Sequence, residues 1–232
     1  MTNDEKERFE IVKELCALQD CTLQEAYNFI KTGKAVTGPL PKTANNPEPP
    51  ALADGVYIVT RKGRAIEYTG EGIALLDDEA IGIGIKQGDR ALTVALTDAA
   101  DGEDVTLTAN KDTTDYDGYI DTCIDAVADW NGKANTDHLR EIGLNPAIKL
   151  KDGEYIPSVA ELYLIYTHRK EINAALRFVG GDEIPGDWYW SSAEYSATYA
   201  WYLYLGTGTL YCDAKASNKD RVRPVSAFNF NR

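Results

Sequence analysis

The side chains in this sequence best equipped for chemistry are aromatic rings, and they are crowded together. Three of the four tryptophans and six of the fourteen tyrosines lie between Trp188 and Tyr211. In Tyr199-Ala200-Trp201-Tyr202-Leu203-Tyr204-Leu205 the period is two, so Trp201, Leu203 and Leu205 are set toward a core and Tyr202 and Tyr204 toward the other side of a strand. Leu210 continues the first set and Thr209 and Tyr211 the second, around a turn at Gly206-Thr207-Gly208. The chemistry such a row offers is recognition, since tyrosine gives large, stiff, amphipathic contact area at low entropic cost. Tyrosine also favours strands on propensity alone, and such a row is equally compatible with cover by a helix or a neighbouring subunit. Rings that each bury roughly 150 to 250 Å² would together match the largest apolar patch of a typical monomer, roughly 300 to 600 Å², so the row must be covered or used. The pattern predicts Trp190 and Trp201 as buried framework, with Tyr202, Tyr204 and Tyr211 exposed on one contiguous face.

Residues for bond-making chemistry are sparse. Cys16, Cys21, Cys123 and Cys212 have neither the spacing of paired zinc ligands nor the density of a disulfide framework, which points to free thiols. His138 and His168 are the two histidines, too few for histidine-rich metal sites, and His168 in Tyr166-Thr167-His168-Arg169-Lys170 suits a solvated or capping role near a helix end. Gly82-x-Gly84 lies inside a strand pattern and opens no helix, unlike a dinucleotide loop. Asp115, Asp117 and Asp121 are spaced like calcium ligands, but Ile120 stands where that loop needs glycine and Ala126 where it needs glutamate, so a solvated acidic turn is expected. No catalytic residue, metal ligand or cofactor is expected, and the chain is not read as an enzyme.

The elements that must position the aromatic row follow from the rest of the chain. The 232 residues carry a formal charge of −13, which disfavours nucleic acid and basic-patch membrane adhesion. From 186 to 232 basic and acidic residues nearly balance, which suits a contact face on an acidic body. No run is long and apolar enough for membrane insertion, and Met1-Thr-Asn-Asp-Glu-Lys is unlike a signal peptide, so synthesis in the cytoplasm is expected. Residues 1–36 read as a helical appendage: Phe9, Val12, Leu15 and Leu18 have helical spacing, and Thr22 with Glu25 forms a capping-box pattern before Leu23, Ala26, Tyr27 and Ile30. Two short amphipathic helices cannot bury both stripes alone, so this segment is expected to pack on the main domain, on a copy of itself as a homo-oligomer, or in a larger assembly. Residues 37–52 hold five of the nine prolines and read as a semi-rigid linker, which makes the appendage separable.

From residue 53 to 232 the order is strands, helices, strands, the α+β pattern. Strands are predicted at Gly55–Arg64, Ala80–Ile85 and Arg90–Leu96. A helix through Ile120, Ile124, Val127 and Trp130 is predicted to close at Asn131-Gly132. Further helices start at Ser158 with its capping partner Glu161 and end at Gly180-Gly181. Arg221 and Arg223, two apart, are expected to hold a turn through buried hydrogen bonds, against the alternative of surface arginines on an edge strand.

Pro157-Ser158-x-x-Glu161-Leu162, Asn173-Ala174-Ala175-Leu176, Tyr189-Trp190-Ser191-Ser192-x-Glu194-Tyr195, Ala200-Trp201 and Arg221-Val222-Arg223-Pro224-Val225-x-Ala227-Phe228 together resemble the variable proteins of diversity-generating retroelements of gut anaerobes and their phages. The resemblance covers about residues 55 to 232. It implies a C-type-lectin-like fold whose C-terminal hairpins, about 193–220, display a diversified ligand- or receptor-binding surface. In that system AAC codons become NNC, which can encode Tyr, Ser, Thr, Asp, Ala, Gly, Cys and Asn but not Trp, Lys or Glu. Under that rule Tyr195, Tyr199, Tyr202, Tyr204, Gly206, Thr209, Tyr211, Cys212, Asp213, Ala214, Ala216, Ser217, Asn218 and Asp220 are the expected ligand-binding positions. Glu194, Trp201, Lys215 and Lys219 cannot come from such codons, and Trp190, Trp201, Arg221 and Arg223 are expected framework. The implied partner is a protein or glycan on a cell surface, with virion association and assembly on a phage particle through residues 1–36 as extensions of the same reading. The alternative is an invariant structural protein of a phage or cell surface with the same fold. Glu183-Ile184-Pro185-Gly186 and Trp190-Ser191-Ser192 stand where calcium lectins carry their sugar-site motifs, so calcium-dependent sugar binding is not expected.

Overall fold

A computed structural model of the chain describes residues 52–70, 75, 78–109 and 116–228. The chain divides between Leu52 and Ala53, and the expected appendage 1–36 and all of the linker except Leu52 lie outside the described residues. The described part is a mixed α+β structure with two antiparallel sheets. Among the described residues no helix is long and apolar enough to cross a membrane.

The first sheet has the order β2-β1-β3-β4-β9-β5, with β1 at Gly55–Thr60, β2 at Ala65–Glu67, β3 at Ala80–Gln87, β4 at Arg90–Ala95, β5 at Glu154–Tyr155 and β9 at Val225–Ala227. Most apolar residues of β1, β3 and β4 are buried, Ile58, Ile83, Ile85 and Val94 completely, as suits β-branched side chains packed on a sheet, whereas Ile81 near the start of β3 is 46% exposed. The second sheet is the meander β6-β7-β8, with β6 at Trp188–Glu194, β7 at Tyr199–Tyr204 and β8 at Thr209–Ala214. Its β7–β8 hairpin has Tyr204 opposite Thr209 and turns through Gly208, whose φ of +76° is a conformation that favours glycine.

Among the described residues there are four α-helices, all between β4 and β6 in the chain: α1 at Cys123–Ala128, α2 at Gly132–Ile142, α3 at Val159–Thr167 and α4 at Arg169–Val179. The capping box at Ser158 and Glu161 forms as the sequence indicates, and α4 ends on Gly180 in the left-handed conformation. His168 sits at the junction of α3 and α4 with its ring Nδ1 3.1 Å from the Leu164 carbonyl, a capping position. Around residue 130 the structure corrects the expectation. Asn131-Gly132 does not close one helix but opens the next, and within α1 Ile124 and Val127 are 79% and 43% exposed. The physical reason is a close approach, because a Cβ on Gly132 would meet the backbone nitrogen of Ser158 at 2.8 Å. The chain must pass tightly under the α3 N-terminus there, and a single longer helix could not make that turn.

Candidate functional site

The meander has two chemically different faces, which the register defines. Tyr189 opposite Leu203 and Leu203 opposite Leu210 share one face. That face packs into the main core with Leu162, Leu164 and Leu176, while Trp201 joins Ala126, Val159 and Ala193 in an adjoining cluster. Trp201 is 4% exposed, and its indole Nε1 donates to the Ile120 carbonyl at 2.7 Å. On the other face Trp188 stands opposite Tyr204, Trp190 opposite Tyr202, and Tyr202 opposite Tyr211, with Asp213 two residues further along β8. Cross-strand aromatic pairs of this kind are the unit of sheet stabilisation. The rings form a continuous row, with centroids 5.2 Å apart for Trp188–Tyr204, 4.4 Å for Trp188–Tyr202 and 6.4 Å for Tyr202–Tyr211.

Burial along this row is graded. Trp190 is fully buried, its indole nitrogen donating to the Val105 carbonyl at 2.9 Å. Tyr202, expected in solvent, is only 8% exposed, which corrects that part of the expectation. Its cover comes from Trp188 and Trp190 beside it and from a cluster that includes Leu107, Leu139, Ile148 and Val222. Tyr204 is half-buried and Tyr211 is 62% exposed. The three tyrosines do share one face, but its inner end is core and only its outer end is surface.

The other expected ligand-binding positions are distributed around that face. Thr209 lies on it and is exposed, Gly206 is exposed in the hairpin turn, and Asp213 is half-buried beside Tyr211. Tyr199, Cys212 and Ala214 alternate to the opposite face of the meander, where Cys212 packs against the Trp201 cluster; Tyr195, just beyond the end of β6, meets Trp201 edge to face at 5.4 Å. Ala216, Ser217 and Asn218 follow β8 in a turn in which Ser217 is exposed. Asp220 is buried, and it brings residue 105 into register through a bridge with Val105. Trp188 is an addition to these positions, legible in hindsight from the period-two pair Trp188-x-Trp190.

Buried charge holds the ends of the meander. Arg223 is wholly buried, its Nε 2.6 Å from Asp98 Oδ1, and it donates to the carbonyls of Ala95 at 3.1 Å and Asp182 at 3.0 Å. Asp98 also receives the Tyr189 hydroxyl and Arg221 Nη1, each at 3.1 Å. The expected turn-holding role of the two arginines is therefore built around one carboxylate. At the other end Lys215, fully buried, is ion-paired with Glu194, whose second oxygen lies 3.2 Å from His138 Nε2. The His138 ring stacks on Tyr116 at 3.7 Å.

Electrostatics around the row are set by carboxylates. Burial, reinforced by Asp104, Asp213 and Asp187, pushes the Asp220 carboxyl up from 3.8 to about 7. Burial together with Asp213 and Asp220 pushes the Tyr202 phenol up to about 12. A folded carboxyl that keeps its proton to higher pH than the unfolded chain lowers stability as pH rises from about 4 to 7, and the loss persists above that. Asp220→Asn removes the charge while retaining an oxygen to accept the Asn218 amide bond, 2.8 Å in the parent. With each pKa unit equivalent to about 1.4 kcal/mol, discounted for water screening, this variant should be more stable at pH 8 by about 1 to 3 kcal/mol and gain little near pH 4. Thermal melts of both proteins at the two pH values measure this, and an equal gain at both would refute the assignment.

No family model matches the chain, and no curated protein matches its sequence. Among the described residues no group of three or more metal-ligating side chains comes together. What is assembled is an aromatic row, buried at its inner end, exposed at its outer end, and carried on strands whose other side belongs to the core.

Proposed function

We propose that the chain is a ligand- or receptor-binding protein whose contact surface is the outer end of the Trp188–Tyr204–Tyr211 row. We propose further that the scaffold is C-type-lectin-like and that the protein is the variable product of a diversity-generating retroelement. The observation that carries the binding reading is the division of labour within β7 and β8. Leu203 and Trp201 are buried on one face while Tyr204, Thr209 and Tyr211 reach solvent on the other, so the second set can change without disturbing the first. Of the residues that adenine-directed codon change cannot supply, Glu194, Trp201 and Lys215 are buried, as a fixed framework would require, while Lys219 is exposed just before Asp220.

The test is a two-part comparison. Tyr204→Ser with Tyr211→Ser and Thr209→Ala should leave the melting temperature within a few degrees of the parent, because exposed changes are usually within about 0.5 kcal/mol and half-buried ones modestly larger. The same variant should lose at least about tenfold in affinity for the surface component that a screen of bacterial envelope proteins and glycans identifies, since interface affinity rests on a few aromatic anchors. Retained binding in this variant would end the reading of this face. Genomic sequence around the coding region should contain a reverse transcriptase and a near-copy of the 3′ end differing at adenines. Identical codons 193–220 across isolates, without such a copy, would instead favour an invariant structural protein of the same fold.

A further inference from the structure

Two of the four cysteines converge behind the aromatic row. Cys212 is the direct cross-strand partner of Trp201, and it packs on the cluster of Ala126, Val159, Ala193 and Trp201. Cys123 opens α1 one turn before Ala126, which places both on one side of the helix. It also follows Ile120 by three residues, and Ile120 packs on the same cluster, its carbonyl receiving the Trp201 indole at 2.7 Å. Cys123 is thus held between two residues that touch the cluster on which Cys212 lies. The electrostatics agree, since the charge of an ionised Cys123 acts on the Cys212 thiol and on Tyr163, another residue packed against that cluster. Both cysteines are free thiols, Cys123 exposed and Cys212 half-buried. Burial, followed by Asp213 and Cys123, holds the Cys212 proton above the usual thiol range, so Cys123 is the thiol that an outside reagent meets first. Helix α1 is six residues long and has Ala126 as its buried residue, so the small movement that brings two sulfurs to bonding distance costs little there.

We infer that Cys123 and Cys212 form a reversible disulfide that staples α1 to β8, the edge strand of the meander, from behind the exposed tyrosines. A low-molecular-weight disulfide such as glutathione disulfide supplies the oxidising equivalents. The Cys123 thiolate attacks one of its sulfurs, forming a mixed disulfide and releasing one glutathione thiolate, which takes up the proton that Cys123 lost. The Cys212 thiolate then attacks the Cys123 sulfur, forms the Cys123–Cys212 bond and expels the second glutathione, which takes up the proton that Cys212 lost. Two protein thiols are oxidised and one small disulfide is reduced. Thr209 and Tyr211 are left untouched, because they alternate to the other face of β8. The link persists in oxidising surroundings and is undone in a reducing cytosol. It does not depend on what the aromatic face binds.

The experiment uses the full-length chain carrying Cys16→Ser and Cys21→Ser, so that Cys123 and Cys212 are the remaining thiols. Treated with glutathione disulfide while folded, it should lose the mass of two hydrogen atoms, and tryptic mapping should join the peptide containing Cys123 to the one containing Cys212. Because the link closes a loop of about 90 residues, the melting temperature should rise by roughly 5 to 15 °C and return to its starting value on reduction. Adding Cys212→Ser should stop the reaction at a glutathione adduct on Cys123. Adding Cys123→Ser instead should slow modification of Cys212 by about tenfold or more. The parent chain, mapped in the same way, should show the same joined peptides. A stable adduct on Cys123 with Cys212 still a thiol in the two-thiol protein, a link between two chains, or a link that forms faster in denaturant than in the folded protein would overturn the inference. So would joining in the parent only through Cys16 or Cys21.

Discussion

Trp190→Ala is expected to be the most damaging single aromatic change in the molecule. The side chain is fully buried, lies 5.5 Å from the Tyr202 ring and donates its indole hydrogen to the Val105 carbonyl. Its loss opens a cavity between β6 and the cluster of Leu107, Leu139 and Val222, and leaves a carbonyl without its donor. Buried tryptophan truncations cost about 3 to 5 kcal/mol, a large share of the 5 to 15 kcal/mol that typically separates folded from unfolded. Tyr211→Ala, by contrast, should change stability by less than about 1 kcal/mol. Denaturant titration of the two variants gives the comparison, and a Trp190→Ala midpoint close to the parent's would mean that the inner end of the row is not the anchor described.

The second large effect should follow loss of Arg223. Its guanidinium neutralises Asp98 and donates to the carbonyls of Ala95 and Asp182, tying the end of β4 to the loop after α4. Removing one partner of a buried ion pair typically costs about 3 to 5 kcal/mol, because the other charge stays buried. Arg223→Met should therefore destabilise strongly. Arg223→Lys should also be costly, since an ammonium cannot span a carboxylate and two carbonyls in the same plane. Adding Asp98→Asn to Arg223→Met should cost less than the sum of the single changes, which a double-mutant cycle measures. Strict additivity would show that the two groups do not act as a pair.

Local patterns were legible where one element fixes its own meaning. The period of two in β7 and β8 identified which residues share a face, the Ser158 and Glu161 pair marked the start of α3, and the two-residue spacing of Arg221 and Arg223 marked a held turn. What lies above a face is decided elsewhere in the chain. Tyr202 is buried by residues from 107 to 222 that no window around it contains, and the helix expected to run through Trp130 stops at Ala128, before Gly132 passes close to Ser158. Burial takes Lys215 and Arg223 out of the surface of residues 186–232, but it takes Glu194 and Asp220 with them, so the near balance of charge read from the sequence survives folding among the described residues. The strands β5 and β9 are two and three residues long and carry too little pattern to be found without their partners.

The position of β9 has a consequence for how the protein is made. In the larger sheet β9 lies between β4 and β5, and β5 joins that sheet only through it. Among the described strands a ribosome delivers β9 last, after the whole meander has been translated, so the larger sheet cannot close before the hairpin residues have been read in frame. A stop codon or frameshift anywhere between 193 and 220 leaves β4 with a bare edge and β5 with no neighbour. Bare strand edges of that kind are prone to aggregation and proteolysis. Closure of the larger sheet thereby depends on a reading frame kept intact through the meander, because β9 is encoded after it.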